Sequence, residues 1–186
     1  MALAEAELVR RAQAGEQDAF VALYESNYVS VYNYAYYRVH DAAIAGDIAA
    51  EVFARMVEKI DRFTYNNKPI LAWLYTIARN LVVDYQRRQQ RQGAEPIYDL
   101  LVSREPGPLE ETSSALTRRD LSGALQQLTD EQQQVILLKF VEGHSNAEVG
   151  ERLGKSEGAI KSLQHRALAA LRRVLVREYG YEEQPV

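Results

Sequence analysis

Apolar residues recur at spacings of three and four along most of the chain, and nowhere do they keep the two-residue rhythm of a strand. The first such segment lies near Leu3 to Ala14. A second runs from about Asp18 to Val39, with Phe20, Leu23, Tyr24, Tyr28, Val31 and Tyr32 on its repeating stripe. Six tyrosines sit on it (Tyr24, Tyr28, Tyr32, Tyr34, Tyr36 and Tyr37), a residue type that buries a ring while its hydroxyl stays wet, as suits a helix half inside a bundle. A third helix spans roughly Ile44 to Ile60. The fourth fills "PILAWLYTIARNLVVDYQRRQQRQ", residues 69–92.

The pattern then stops. "GAEPIYDLLVSREPGPLEETSS", residues 93–114, holds three prolines and two glycines and reads as a linker. Helical periodicity returns at about 115–128, 131–141, 146–153 and 157–177. Thr129 with Gln132 and Ser145 with Glu148 have the spacing of capping boxes, and Gly143 and Gly154 stand where helices should stop. The expected fold is all-α: two small helical domains, 1–92 and 115–177, joined by a flexible acidic linker, with a short tail at 178–186.

Charge sharpens this division. The net charge is −4, which argues against a uniformly basic nucleic-acid binder. Yet between residues 68 and 91 five cations (Lys68, Arg79, Arg87, Arg88, Arg91) face one acid, Asp84. Between 155 and 177 six cations face only Glu157, and the linker carries five acids against Arg104. Phosphate binding follows local charge within a Debye length of about 10 Å, so two basic patches outweigh the net value.

The other classes find less support. The chain has no cysteine, which fits a reducing cytosol and removes thiolate chemistry. The N-terminus lacks the apolar core of a signal peptide, and no stretch approaches about eighteen uncharged apolar residues. A soluble, cytoplasmic chain is expected. His40, His144 and His165 lie far apart without ligand spacing, so neither a metal nor another cofactor is expected. No nucleophile–base set suggests an enzyme.

The most informative stretch is "SNAEVGERLGKSEGAIKSLQHRALAALRR". A helix-turn-helix needs two helices crossing steeply over a short turn, a small residue at their contact and apolar residues to lock them. Gly150, turn glycine Gly154, and the group Val149, Leu153, Ile160 and Leu163 meet those needs. With Ile160, Leu163, Ala167, Leu171 and Val174 turned inward, the second helix shows Lys161, Ser162, His165, Arg166, Arg172 and Arg173 outward, from a start at Ser156. A recognition helix presents such groups to base edges and phosphates in the major groove. The bland alternative is an αα-hairpin with a solvated basic face.

On the fourth helix Ile70, Leu71, Leu74, Tyr75, Ile77, Ala78, Leu81, Val82 and Tyr85 cover one arc; Thr76, Arg79, Asn80, Val83, Arg87 and Arg91 occupy the other. Trp73, Asn80 and Arg87 share a stripe, with Arg88 beside its basic end. An aromatic, an amide and a cation on one face make a stacking platform for an unpaired base. A core tryptophan ahead of a solvated helix end explains the same residues.

These motifs together resemble an extracytoplasmic-function sigma factor, a group four member of the bacterial housekeeping-type sigma family. "DIAAEVFARMVEKIDRF" is similar to the region 2 helix that docks on the β′ clamp helices of RNA polymerase. "AWLYTIARNLVVDYQRR" is similar to the helix that melts and reads the −10 element. The segment from Leu128 to Arg173 is similar to region 4, which reads the −35 element and sits on the β flap. The resemblance implies docking through Asp47, Glu51 and Phe53, although Ala50 stands where the family usually has glutamine. It also implies capture of a flipped −10 base by the loop Tyr65, Asn66, Asn67 and Lys68. It further implies core polymerase, promoter DNA and an anti-sigma factor as partners, and no small-molecule substrate.

Two functions follow from the residues: a promoter-specificity subunit, or a stand-alone helix-turn-helix regulator with an N-terminal sensing or dimerisation domain. A regulator has no reason to carry a second basic patch on another domain. The first should elute as a monomer and be captured by core polymerase. The second should elute as a dimer that ignores polymerase and binds half-sites one helical turn apart, and that outcome in gel filtration and pull-down would decide for it.

Overall fold

The computed structural model describes residues 2–65, 68–91 and 118–181. The linker 93–114, Asn66 and Asn67 of the expected base-capturing loop, and residues 182–186 of the tail lie outside these. Among the described residues all regular structure is helical. The N-terminal bundle comprises α1 (Ala2–Gln13), α2 (Gln17–Val39), α3 (Ala42–Lys59), a short 3-10 turn (Ile60–Arg62) and α4 (Ile70–Arg91). The C-terminal bundle comprises α5 (Arg118–Gln126), α6 (Asp130–Ile136), a π-helical turn (Leu137–Val141), α7 (Asn146–Leu153) and α8 (Glu157–Tyr179). The segment expected as one helix over 131–141 thus changes hydrogen-bond register at Leu137.

Local chemistry sets the boundaries. Gly15, at φ +84°, turns the chain between α1 and α2, a conformation that favours glycine. Asp41 caps α3, its carboxylate accepting the Ile44 N–H at 2.9 Å. The cap of α4 comes from far away in sequence: Glu5 on α1 accepts the Ile70 N–H at 2.7 Å. Both capping boxes form, with Thr129 and Gln132, and Ser145 and Glu148, bonding each other's backbone. In the second, the Ser145 N–H and hydroxyl hold the Glu148 carboxyl below the usual carboxylate range.

The core follows the 3.6-residue pattern. Ile70, Leu71, Leu74, Tyr75, Ile77, Ala78 and Val82 of α4 are buried against α2 and α3. Leu81 and Tyr85, expected on the same arc, are half-buried at its margin. Tyr34 is the one fully enclosed tyrosine of α2, and burial pushes its hydroxyl far above its ordinary pKa. Tyr28, Tyr32 and Tyr36 are half-buried and stack along the helix at 6.0 Å spacing.

The two bundles are not held apart. One continuous apolar cluster includes Leu23, Val31 and Leu74 from the first and Val135, Leu138, Val149 and Leu153 from the second. Tyr37 of α2 packs on the second cluster, formed by Leu125, Leu128, Ile136 and Ala167.

At the α7–α8 contact the spacing is dictated by a missing side chain. A Cβ on Gly150 would lie 2.6 Å from the Lys155 carbonyl oxygen, closer than atoms tolerate, while the Lys155 N–H donates to the Gly150 carbonyl at 2.8 Å. Gly150→Ala should therefore cost about 1–3 kcal/mol of stability by forcing the turn open, read as a lower denaturant midpoint; an unchanged midpoint would show that the turn has slack.

Burial holds the Glu5 carboxyl above the usual carboxylate range, against the opposing pulls of the Ile70 N–H and the Arg152 guanidinium. A raised folded pKa means that the neutral acid is favoured in the native state. Its contribution is complete below the unfolded value of about 4.5 and is lost as pH rises through the folded value. Glu5→Gln keeps an acceptor for Ile70 and removes that loss, so its stability should fall less than the native chain's between pH 4.5 and 7. Parallel stability–pH profiles for the two would contradict this.

Candidate nucleic-acid interface

The helix-turn-helix is built as its residue spacing requires. Val149, Leu153, Ile160 and Leu163 are buried between α7 and α8, and Gly154 ends α7 at φ +66°. The Ser156 hydroxyl accepts the Ala159 N–H at 3.2 Å and starts α8. With Ile160, Leu163, Ala167 and Val174 inward, Ser156, Lys161, Ser162, His165, Arg166 and Arg172 all lie on the exposed side. Lys161 pairs with Glu157 one turn back at 3.0 Å, a solvent-exposed pair that yields readily to a phosphate. Arg166 donates from Nε to the Ser162 carbonyl at 3.4 Å. Further along α8, Leu168, Ala169 and Val176 run between His165, Arg172, Arg173 and Arg177, giving a mixed apolar and basic surface.

On α4 the expected polar arc is solvent-facing: Thr76, Arg79, Asn80, Arg87, Arg88 and Arg91 are exposed. Trp73 is half-buried, and Phe63 stacks on its ring at 4.9 Å between centroids. One indole face is thereby occupied from within the protein. Lys68 is exposed at the foot of the helix. Tyr65 is half-buried against the core, and burial raises its hydroxyl pKa.

The docking residues separate by depth. Asp47 and Glu51 are exposed on adjacent turns of α3, Glu51 bridging Arg55 at 2.7 Å. Ala50 is exposed between them, while Phe53 is only 6% exposed, under Tyr24 at 4.8 Å and Tyr28 at 6.3 Å. Phe53 therefore supports this surface from beneath and presents little of its own ring.

A polar seam between the bundles went unnoticed in the sequence. Asp130, the first residue of α6, accepts Arg38 Nη2 on Oδ1 at 2.6 Å and pairs through Oδ2 with Arg79 Nε. The Tyr34 hydroxyl donates to Oδ1 at 3.4 Å, and the Arg38 guanidinium lies 4.2 Å above the Tyr34 ring. A second junction lies nearer the N-terminus of α2, along the same face of the helix. There Ser30 donates to Glu142 at 2.6 Å and accepts from Arg152 at 3.0 Å, so one hydroxyl links an acid and a base. Asn33 adds a 3.3 Å bond to Glu142, and Arg152 a 3.0 Å bond to the Ser26 carbonyl. Beside this junction α1, α2 and α7 leave a cleft of about 590 Å³ lined mainly by apolar groups, among them Leu8, Leu23 and Leu71.

Among the described residues no group of three or more His, Asp or Glu could hold a metal ion, and no helix is long and apolar enough to cross a membrane. What the surfaces offer is cationic and aromatic side chains on two helices, chemistry suited to a phosphate backbone and base edges.

Comparison with known proteins gives the same order of parts. The Sigma-70 region 2 family model matches residues 23–92 and the Sigma-70 region 4 model matches residues 124–173. The ECF RNA polymerase sigma factor BldN of Streptomyces coelicolor is 42% identical over 171 residues, 91% of this chain and 65% of that protein. This chain thus spans just under two thirds of that relative's length. The ECF RNA polymerase sigma factor SigL of Mycobacterium tuberculosis is 32% identical over 167 residues, covering 90% of this chain and 94% of the relative. Among solved structures, the sigma factor RpoE in complex with the anti-sigma factor NepR from Bartonella quintana aligns with a TM-score of 0.51 at 24% identity. That alignment covers 86% of this chain and 98% of the other, and it supports the fold.

Proposed function

Because the chain belongs to the extracytoplasmic-function RNA polymerase sigma factors, we propose that it is a promoter-specificity subunit that directs bacterial RNA polymerase to its start sites and helps open the −10 region. Its two regions are of the sigma-70 kind, the sense in which it is allied to the housekeeping type. The observation that carries the reading is a pair of exposed basic helix faces on two bundles that match, in order, region 2 and region 4. Such a subunit needs no catalytic group. Its work is binding, and it acts in the cytoplasm where polymerase and promoter are.

In this reading Lys161 and Arg166 reach base edges of the −35 element in the major groove, with Ser162 and His165 beside them and Arg172 on the backbone. The exposed arc of α4 takes the non-template strand of the −10 element. Asn80, Arg87 and Arg88 follow its backbone, and Trp73, with the loop Tyr65 to Lys68, receives extruded bases. Each base stacked on an aromatic ring returns about 1–3 kcal/mol, comparable to the cost of unstacking one step. Melting is then driven by trapping unpaired bases.

Asp47 and Glu51 face the β′ clamp helices over a surface stiffened by Phe53. Ala50 withholds the hydrogen bonds an amide would make there. The exposed C-terminal half of α8 lies against the β flap. An anti-sigma factor that engages both bundles completes the partner set, a proposal supported by the complex described for RpoE and NepR.

Arg166→Ala or Lys161→Ala should weaken binding of the reconstituted holoenzyme to its promoter by about 1–3 kcal/mol for each lost base contact. The −35 footprint should fade while polymerase capture is unchanged. Promoter affinity equal to that of the native protein in both variants would remove α8 as the reading helix.

A further inference from the structure

Arg79 stands on the arc of α4 that faces DNA in the reading above, yet in this structure its guanidinium is engaged by Asp130 of the other bundle. Arg38 of α2 reaches the same carboxylate from the side, at 2.6 Å. Two guanidinium groups from region 2 thus converge on one carboxylate, using one oxygen each. A phosphodiester offers the same two acceptor oxygens and one negative charge, and guanidinium groups bind it in the same geometry.

We propose that Arg38 and Arg79 form a binding site for a DNA backbone phosphate, and that in the closed chain Asp130 occupies it. The inference rests on the assignment of α4 as a DNA-facing helix and adds two residues and a competitor to it.

Burial supports the pairing of roles. With region 4 in place the Arg38 side chain is only 14% exposed and is braced by the Tyr34 ring beneath it, so its guanidinium is held in position to meet an anion. The Arg79 side chain is 60% exposed and can swing to either anion at little cost. Asp130 is held ready by its position. It is the first residue of a capped helix, where the N-terminal dipole favours a carboxylate, and it arrives as one rigid body with α6. The single acid of α4, Asp84, lies more than one turn beyond Arg79.

Closure and DNA binding at α4 therefore exclude each other. Release of region 4 exposes the arginine pair, and a phosphate in the pair leaves Asp130 unsatisfied. By linkage each lowers the affinity of the other by the same factor.

The test uses the full chain and fluorescein-labelled duplex DNA of random sequence, titrated by anisotropy over a series of salt concentrations. Asp130→Asn should bind the duplex about fivefold tighter than the native chain. Adding Arg79→Gln should cancel that gain and lower the salt slope by about one. The same Arg79→Gln change should weaken binding less in the native background than in Asp130→Asn, because in the native chain it also loosens closure. Asp130→Ser, which keeps a good helix start, repeats the measurement if Asp130→Asn melts early. Unchanged affinity in both Asp130 variants, or a gain that survives Arg79→Gln, would overturn the proposal. Capture of the native chain by core polymerase is measured alongside: its loss would sink the sigma reading and leave the DNA result standing, whereas normal capture with unchanged DNA affinity would sink only this site.

Discussion

A single carboxylate, that of Asp130, is placed where two arginines of the other bundle meet it, the charged tie in a contact that a shared apolar cluster also holds. A partly buried guanidinium is poorly hydrated while the bundles are together, so in the closed chain Arg38 depends on the Asp130 carboxylate. The Ser30 relay between Arg152 and Glu142 lies two turns back along the same face of α2. Both junctions are polar and both join residues far apart in the sequence. The apolar contacts around them, such as Tyr37 on Leu125 and Leu128, add adhesion without adding a choice of partner.

The strength of this closure is set between two limits. Solvent-exposed ion pairs contribute about 0–1 kcal/mol each, so Arg79 alone could not hold the bundles together. Arg38 and Glu142 are poorly exposed while the bundles are together and regain water only when they part, so their pairs count for more than exposed ones in the closed chain. The combination favours exchange of one anion for another over opening into water. Under the proposed competition at Asp130, a polyanion that replaces the internal contacts favours the open chain.

The elements that were legible in the sequence are those governed by neighbours in sequence. The α7–α8 unit could be read because a capping box, a turn glycine and a glycine at the crossing are local requirements, and Gly150 meets one that no other residue could. The two arcs of α4 were equally plain from their period. Depth was less legible. Phe53, taken as a contact residue, lies beneath the tyrosines of α2, and Trp73 proves to be stacked on Phe63, because ring partners from another helix leave no trace in a residue's own periodicity. The polar seam was invisible for the same reason. Arg38 and Asp130 each look like ordinary solvated charges at helix ends, and only the tertiary fold brings them together.

The central claim is that a chain closed on itself must open to engage DNA at two places, and distance measures this most directly. The chain has no cysteine, so Asp18→Cys on α2 and Glu151→Cys on α7 can carry a fluorescent donor and acceptor at two exposed sites without other changes. Energy transfer should be high in the free chain and fall when the holoenzyme binds promoter DNA that carries both elements. Transfer that is low in the free chain, or that stays high in the promoter complex, would contradict the account.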